Sequence, residues 1–103
     1  MCGIIGYVGN NHPKKILING LKELEYRGYD SAGIALKNKE EIQIIKSIGK
    51  ISNLEEKINK EKIIDCNLGI AHTRWATHGT PSEVNAHPHR VGKITIVDRK
   101  SVV

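Results

Sequence analysis

The chain has 103 residues and a formal net charge of +5, and it contains two cysteines and no Phe. This length allows one small domain, whose core must be aliphatic. No stretch approaches the about 20 apolar residues of a membrane span, and no secretory signal is recognisable, so we expect a cytoplasmic protein without membrane contact. The lysines are scattered beside glutamates and form no basic run interleaved with aromatic residues, which argues against nucleic acid binding.

The first predicted element is a strand that starts next to Cys2. Residues 3–9 combine β-branched residues with glycines, which is typical of a strand rather than of a frayed terminus. Removal of Met1 would give Cys2 a free α-amino group, whose ordinary pKa of about 7.7 to 8.0 lies below that of a thiol. The amine could then take the thiol proton, as in N-terminal nucleophiles. The alternative is an inert terminal cysteine.

A first helix is predicted from Pro13 to about residue 26. Proline suits the first helical position, and apolar residues recur at helical spacing. The apolar stripe comprises Ile16, Leu17, Gly20, Leu21 and Leu24. A glycine within this stripe indicates close packing against a sheet.

The following segments predict a β-hairpin. We expect a polar loop over residues 28–33, a short strand over 34–36, a turn at 38–40 and a return strand over 42–48. Gly49 should end the return strand.

A second helix is predicted over about residues 53–60. Ser52 and Glu55 have the Ser-x-x-Glu spacing of a capping box. Leu54 and Ile58 lie at helical spacing and should face the core.

Beyond residue 67 the pattern is that of a buried strand. Residues 68–73 are uncharged and small or branched. A capping pattern at Thr80 and Pro81 predicts about one helical turn, and residues 94–97 predict a last strand. Strands and helices mix without strict alternation, which indicates a layered α+β fold with mostly antiparallel strands.

A candidate ligand-binding residue follows the buried strand. Arg74 could bind a substrate carboxylate through its guanidinium fork. The alternative is that Arg74 pairs with Asp30 or Glu83. Trp75, the single tryptophan, could line a pocket or lie in the core.

A zinc site is the second chemical hypothesis. Four histidines fall between residues 72 and 89, and His87 and His89 are the candidate ligands, with Cys66 upstream. No Cys-x-x-Cys or His-Glu-x-x-His pattern supports this hypothesis. The histidines could instead orient a loop, and Cys66 is expected to pack as a small apolar residue.

Four segments closely resemble the start of the glucosamine-6-phosphate synthases, also called glutamine:fructose-6-phosphate aminotransferases (isomerizing). Their sequences are MCGI, LEYRGYDSAG, GIAHTRWATHG and NAHPH. The match runs in one register from residue 1 to about residue 97. We therefore expect residues 2–97 to be part of a class II glutamine amidotransferase domain and residues 98–103 to be an unrelated tail.

The resemblance implies the N-terminal-nucleophile hydrolase fold, a four-layer αββα sandwich, of which this chain would hold about the first half. It implies that Cys2 attacks the side-chain amide of glutamine, giving a γ-glutamyl thioester and ammonia. A separate sugar-isomerase domain, absent here, would use the ammonia to make glucosamine 6-phosphate from fructose 6-phosphate. The implied enzyme uses no cofactor or metal, and its parent chain forms a homodimer.

The resemblance also implies roles for five further residues, carried over by position. Arg74 would hold the α-carboxylate of glutamine, and Thr77 and His78 would line the same site. Trp75 would lie at the mouth of the ammonia channel. Arg27 would lie beside the nucleophile.

The sequence departs from the family after residue 97. Asp98, Arg99 and Lys100 occupy the positions of a His-Asn-Gly motif that forms the oxyanion hole. Loss of one oxyanion donor typically costs a factor of about 10² to 10³ in rate. The downstream aspartate for the substrate's amino group is also absent. We expect this chain alone to be an inactive, non-catalytic fragment with an exposed apolar face.

Overall fold

The computed structural model describes residues 3–25, 30–74, 88–91 and 94–96, with the backbone alone for 89–91 and 94–96. Two helices and six strands lie in these ranges. The helices are α1 (Lys14–Leu24) and α2 (Ile51–Lys60). The strands are β1 (Gly3–Val8), β2 (Ser31–Lys37), β3 (Ile42–Ile48), β4 (Leu68–Arg74), β5 (His89–Val91) and β6 (Ile94–Ile96).

A four-stranded antiparallel sheet in the order β1-β4-β2-β3 organises the fold. Strands β2 and β4 are central, and their register pairs Ser31 with Arg74. Strand β1 pairs with β4 on its other side, where Gly3 lies opposite Thr73. Strands β5 and β6 pair with each other in a separate two-stranded sheet. The α+β architecture with antiparallel strands is thus confirmed.

One face of the four-stranded sheet, here called the covered face, packs against both helices. Its aliphatic side chains and those of the helices form a single buried cluster, which includes Leu17, Leu21, Ile34, Leu36, Ile45, Ile51, Leu54, Ile58 and Ala71. Close packing is visible at Gly69, where an added Cβ would lie 2.8 Å from Leu17 Cδ1. This cluster is the hydrophobic core.

The other face of the sheet, here called the opposite face, carries the alternate residues of each strand. Near one end it presents Ser31, His72 and Arg74, which are all buried. Elsewhere it presents exposed apolar side chains, with Val8 75% and Leu68 38% exposed. No described helix packs against this face, because both helices belong to the covered face.

The first helix differs from its prediction at both ends and in one apolar position. Pro13 precedes the helix instead of opening it, and the described helix ends at Leu24. The predicted inward Ile16 is wrong, since Ile16 is 39% exposed and Ile18 is buried in its place. Ile18 faces the second helix, so helix-to-helix packing widens the apolar stripe beyond the sheet contact. The close packing expected at Gly20 is confirmed, because a Cβ there would lie 2.5 Å from Ile5 Cδ1.

The polar loop predicted over residues 28–33 is wrong for residues 31–33. These residues form the start of β2, where Ser31, Ala32 and Gly33 pair with β3 on one side and β4 on the other. Ladder hydrogen bonds from both neighbours override the loop propensity of serine and glycine.

The predicted capping box at Ser52 is also wrong. The second helix begins at Ile51, so Ser52 lies inside it, and the side chain of the N-cap residue Lys50 makes no capping hydrogen bond. Ile51 is fully buried, and its burial helps to fix the start of this helix. The inward positions of Leu54 and Ile58 are confirmed.

The remaining strand predictions are largely confirmed. The turn at Asn38 is held by its side chain, whose Oδ1 accepts hydrogen bonds from the N–H groups of Glu40 and Glu41. Gly49 ends β3 with a φ of 86°, a left-handed conformation that favours glycine. The strand predicted over 94–97 is confirmed for residues 94–96, which form β6, whereas its partner β5 was not predicted. The predicted turn at Thr80 and Pro81 lies outside the described residues.

Candidate active site

Of the residues that the sequence assigns to the site, Arg74 lies in the described part of the structure. Cys2, Arg27, Trp75, Thr77 and His78 lie outside the described residues. Their grouping around Arg74 therefore stays a prediction. The surroundings of Arg74 are described in detail and define the candidate site.

Arg74 ends the central strand β4 and is buried, with 6% of its surface exposed. Its Nη1 lies 3.3 Å from Oδ1 of Asp30, and the two side chains are 7% and 15% exposed. This is the Asp30 contact that the sequence offered as the alternative to carboxylate binding. A guanidinium has five N–H donors in a planar fork, so it can serve more than one acceptor.

The main chain ties these two residues together as well. The N–H of Asp30 donates to the carbonyl oxygen of Arg74 at 2.8 Å, and the carbonyl oxygen of Asp30 accepts from the N–H of Gly49 at 2.9 Å. Asp30 directly precedes the first residue of β2, and β2 lies between β3 and β4. The main chain of Asp30 is therefore tied to the end of β4 and to the residue that follows β3.

Two buried oxygen atoms beside this ion pair have no hydrogen-bond partner within the described residues. They are Oγ of Ser31 and Oδ2 of Asp30. Ser31 lies opposite Arg74 in the β2–β4 register, so its side chain shares the opposite face with the guanidinium. The site thus combines a cation, an anion and a hydroxyl in surroundings of low dielectric, where polar interactions are strengthened.

Strand β1 enters the same end of the sheet through a specific contact. The N–H of Gly3 donates to Oγ1 of Thr73 at 3.1 Å, and this hydrogen bond is buried. A side chain at position 3 would force the side chains of Thr73 and Leu24 to shift, so glycine suits this position. The main-chain nitrogen of Gly3, the residue after Cys2, is therefore held by Thr73, the residue before Arg74.

The contacts of Asp30, Ser31 and Thr73 in this arrangement were not predicted from the sequence. The sequence indicates Asp30 only as an alternative partner of Arg74 and predicts a loop at Ser31. The alternation of side chains in β4 could have shown that residues 72 and 74 lie on the same face of the sheet. Their cross-strand partners depend on the strand register, which the sequence does not determine.

The second cysteine lies in a different part of the molecule. Cys66 Sγ lies 3.8 Å from Nε2 of His12. The Nδ1 of His12 accepts a hydrogen bond from the N–H of Lys14 at 3.1 Å, so Nε2 carries the ring proton and donates to the carbonyl oxygen of Ile64 at 2.8 Å. Burial raises the pKa of the Cys66 thiol, which disfavours the reactive thiolate.

The metal-site hypothesis is not tested by these contacts. Among the residues that the structure describes, no group of three or more His, Cys, Asp or Glu side chains could hold a metal ion. His87 and the side chain of His89 lie outside those residues, so their role stays a prediction. In the same described ranges, no helix is long and apolar enough to cross a membrane.

Comparison with known proteins identifies relatives of this chain. No protein-family model matches it. A glutamine–fructose-6-phosphate aminotransferase (isomerizing) of Campylobacter jejuni is 50% identical over 103 residues, which is 100% of this chain and 17% of the relative. Proteins of the same name from Haemophilus ducreyi and Cyanidium caldarium are 57% identical over 98 residues and 58% identical over 91 residues. These matches cover 94% and 86% of this chain and 16% and 15% of the relatives. The chain therefore spans about a sixth of the length of the relatives, at their N-terminal end.

Proposed function

Since the chain belongs to the glutamine–fructose-6-phosphate aminotransferase family, we propose that it forms the first part of a glutaminase domain. This domain would release ammonia from the side-chain amide of L-glutamine. In the whole enzyme, the ammonia would serve to form glucosamine 6-phosphate from fructose 6-phosphate. The observation that carries the proposal is the buried Arg74 at the end of β4, next to the residue that binds Gly3.

Chain connectivity supports a short distance between the proposed nucleophile and this arginine. Cys2 is bonded to Gly3 and Arg74 to Thr73, and Gly3 and Thr73 are paired across β1 and β4. Consecutive Cα atoms lie about 3.8 Å apart and paired Cα atoms about 5 Å apart, which limits the separation of the Cys2 and Arg74 Cα atoms to about 13 Å. A glutamine held by its α-carboxylate extends its amide over several ångströms, so one substrate molecule can bridge the two residues.

The proposed reaction follows from these roles. Arg74 binds the α-carboxylate of glutamine through charge-assisted hydrogen bonds. The α-amine of Cys2 takes the thiol proton, and the sulfur attacks the amide carbon. Collapse of the tetrahedral intermediate breaks the C–N bond, and the nitrogen leaves as ammonia with that proton. Water then cleaves the γ-glutamyl thioester, which releases glutamate and restores the thiol.

The remaining residues of the site have proposed roles that rest on the resemblance. Thr77 and His78 would line the glutamine site, Arg27 would lie beside the nucleophile, and Trp75 would lie at the mouth of the ammonia channel. The proposed partners are the sugar-isomerase domain of the parent chain and a second copy of that chain in a homodimer.

The opposite face of the sheet supports the proposed four-layer αββα sandwich. Ile4, Val8 and Leu68 are large apolar side chains that are 47%, 75% and 38% exposed on this face. An apolar sheet face is normally buried against another layer. We propose that the second sheet of the same domain covers it in the full-length protein.

We propose further that the 103-residue chain does not turn over glutamine by itself. Asp98, Arg99 and Lys100 stand where the family has the residues of the oxyanion hole. A carboxylate donates no hydrogen bond to an oxyanion, and loss of each donor costs about 10² to 10³ in rate. The purified chain should therefore release no glutamate from glutamine above the blank. Release that disappears in Cys2→Ala would overturn this part of the proposal.

The glutamine site itself can be tested without turnover. An L-glutamine analogue with a chloromethyl ketone in place of the amide should alkylate Cys2 in the chain that lacks Met1. The sulfur displaces chloride directly, so a C–S bond forms, the C–Cl bond breaks and no oxyanion donor is required. We expect labelling of Cys2 that saturates with reagent concentration. Labelling that stays proportional to reagent concentration would contradict the proposed site.

Cys66 provides a matched control in the same molecule. Its thiol pKa is raised by burial, and it lies away from Arg74, beside His12. Peptide mapping by mass spectrometry should show Cys66 labelled slowly and without saturation. Equal labelling of both thiols would indicate a reagent effect instead of a glutamine site.

A further inference from the structure

We propose that Asp30 positions the guanidinium of Arg74 for binding the substrate carboxylate. This inference rests on the proposed function and adds a residue to its site. It follows from the contact between Asp30 Oδ1 and Arg74 Nη1 at 3.3 Å, in a part of the sheet where both side chains are largely buried. Asp30 does not contact the substrate in this scheme; it acts through Arg74.

The contact with Asp30 restricts the geometry of the Arg74 side chain. An arginine side chain has several rotatable bonds and loses considerable rotamer entropy when it is fixed. Here the carboxylate contacts Nη1 of the guanidinium, and the main chain of Asp30 is fixed by hydrogen bonds to the main chains of Arg74 and Gly49. A contact at Nη1 sets the plane of the fork, so the other N–H groups keep a defined direction. Preorganisation of this kind lowers the entropic cost of ligand binding.

The charge of Asp30 could also affect how tightly Arg74 binds an anionic ligand. A buried carboxylate beside the guanidinium also reduces the net positive charge that an incoming carboxylate meets. If this reduction were the main effect of Asp30, its removal would tighten the binding of an anionic ligand. If positioning is the main effect, its removal weakens binding. The two alternatives therefore predict opposite signs for one substitution.

The second carboxylate oxygen of Asp30 guides the choice of a test substitution. Within the described residues, Oδ2 of Asp30 is buried and makes no hydrogen bond. Asp30→Asn preserves the shape of the side chain and removes its charge, so it weakens the hold on Arg74 with little change in volume. It is consequently the variant that isolates the ion pair.

The experiment compares the wild-type chain with Asp30→Asn in the chloromethyl ketone labelling of Cys2. We expect the half-saturating reagent concentration to rise about tenfold, the scale of one charge-assisted hydrogen bond, with the limiting labelling rate unchanged. Chloroacetamide, which has no α-carboxylate, should label Cys2 at the same rate in both proteins. An unchanged or lower half-saturating concentration in Asp30→Asn would overturn the proposal.

Two further variants separate positioning from a general structural role. Glu55→Gln removes a carboxylate from an exposed ion pair with Lys22, whose side chain is 46% exposed, and should leave the labelling unchanged. Asp30→Glu keeps the charge but displaces it by one methylene, and should fall between wild type and Asp30→Asn. If Asp30→Asn fails to fold, Asp30→Glu carries the comparison, and half-saturation equal to wild type in that variant would count against the proposal.

A spectroscopic measurement tests the inference independently of the proposed function. NMR of the Arg74 guanidinium should show separate Nη proton signals in the wild-type chain, because the ion pair slows rotation about the Cζ–N bonds. Those signals should merge in Asp30→Asn. If wild-type Cys2 shows no saturable labelling, the proposed function fails, whereas this comparison still decides whether Asp30 holds Arg74. Identical guanidinium spectra in the two proteins would overturn the positioning role.

Discussion

The two faces of the four-stranded sheet differ in what they bury. The covered face buries mainly aliphatic side chains and packs against both helices, with Leu17, Leu21 and Leu36 fully buried. The opposite face buries Ser31, His72 and Arg74 and leaves Val8 largely exposed. Aliphatic burial stabilises a fold, whereas buried polar groups cost free energy unless they are paired. The comparison indicates that one face stabilises the sheet, whereas the other is the face on which we propose the glutamine site.

The largest effect is expected when the buried ion pair of the opposite face is broken from one side. Arg74→Met leaves the Asp30 carboxylate buried without the cation, which should lower the free energy of unfolding by about 3 to 5 kcal/mol. Chemical denaturation of the 103-residue chain measures this loss. The double variant with Asp30→Asn should recover much of it. A single substitution without effect would mean that the pair is not structurally coupled.

The covered face should respond nearly as strongly to loss of volume. Leu36→Ala removes a fully buried side chain and should cost about 2 to 5 kcal/mol. Val8→Ala lies on the opposite face at a residue that is 75% exposed and should change stability by less than about 0.5 kcal/mol. Similar losses in both variants would show that the opposite face is already covered in this chain.

Two glycines on neighbouring strands sharpen the comparison further. At Gly69 an added Cβ would lie 2.8 Å from Leu17 Cδ1 and 3.1 Å from the carbonyl oxygen of Ala35, so Gly69→Ala should cost about 1 to 3 kcal/mol. At Gly6 no described atom lies within 4 Å of the added Cβ, so Gly6→Ala should stabilise the chain by up to about 1 kcal/mol. Thermal unfolding of both variants checks the contrast, and a reversal of the two signs would contradict the assignment of the faces.

The smallest effect is expected at Cys66, outside the sheet faces. Burial raises the pKa of its thiol, so the folded chain binds that proton more tightly than the unfolded chain. This contribution is fully present below the ordinary thiol pKa of about 8.5 and is lost as pH rises through the higher folded value. Wild type should therefore lose stability relative to Cys66→Ser between neutral and alkaline pH. Parallel pH profiles would contradict a raised pKa.

Much of the covered face could be predicted from sequence, because local periodicity determines it. Leu54 and Ile58 repeat at helical spacing, and the close approach of α1 to the sheet was visible in the glycine at position 20. The errors arose where distant contacts decide the structure. Ser31 to Gly33 look like a loop until two neighbouring strands supply their hydrogen bonds, and Ser52 looks like a cap until burial of Ile51 moves the start of the helix.

The candidate site could be predicted only in part, because local patterns are visible in the sequence and distant contacts are not. Arg74 stands out as a charged residue at the end of an uncharged strand, which is a local signal. The roles of Asp30 and Thr73 depend on the β2–β4 and β1–β4 registers, and the sequence alone does not determine these pairings. The sequence therefore suggests a candidate carboxylate-binding residue more readily than the residues that contact it.

The central claim is that the N-terminal thiol and Arg74 act on one amino acid substrate. Its most direct test compares labelling of Cys2 by the glutamine-like chloromethyl ketone and by the same reagent without its α-carboxylate. The account predicts that the carboxylate lowers the half-saturating concentration by about tenfold or more in the wild-type chain, and that Arg74→Lys loses most of this advantage. Equal labelling by the two reagents would contradict the account.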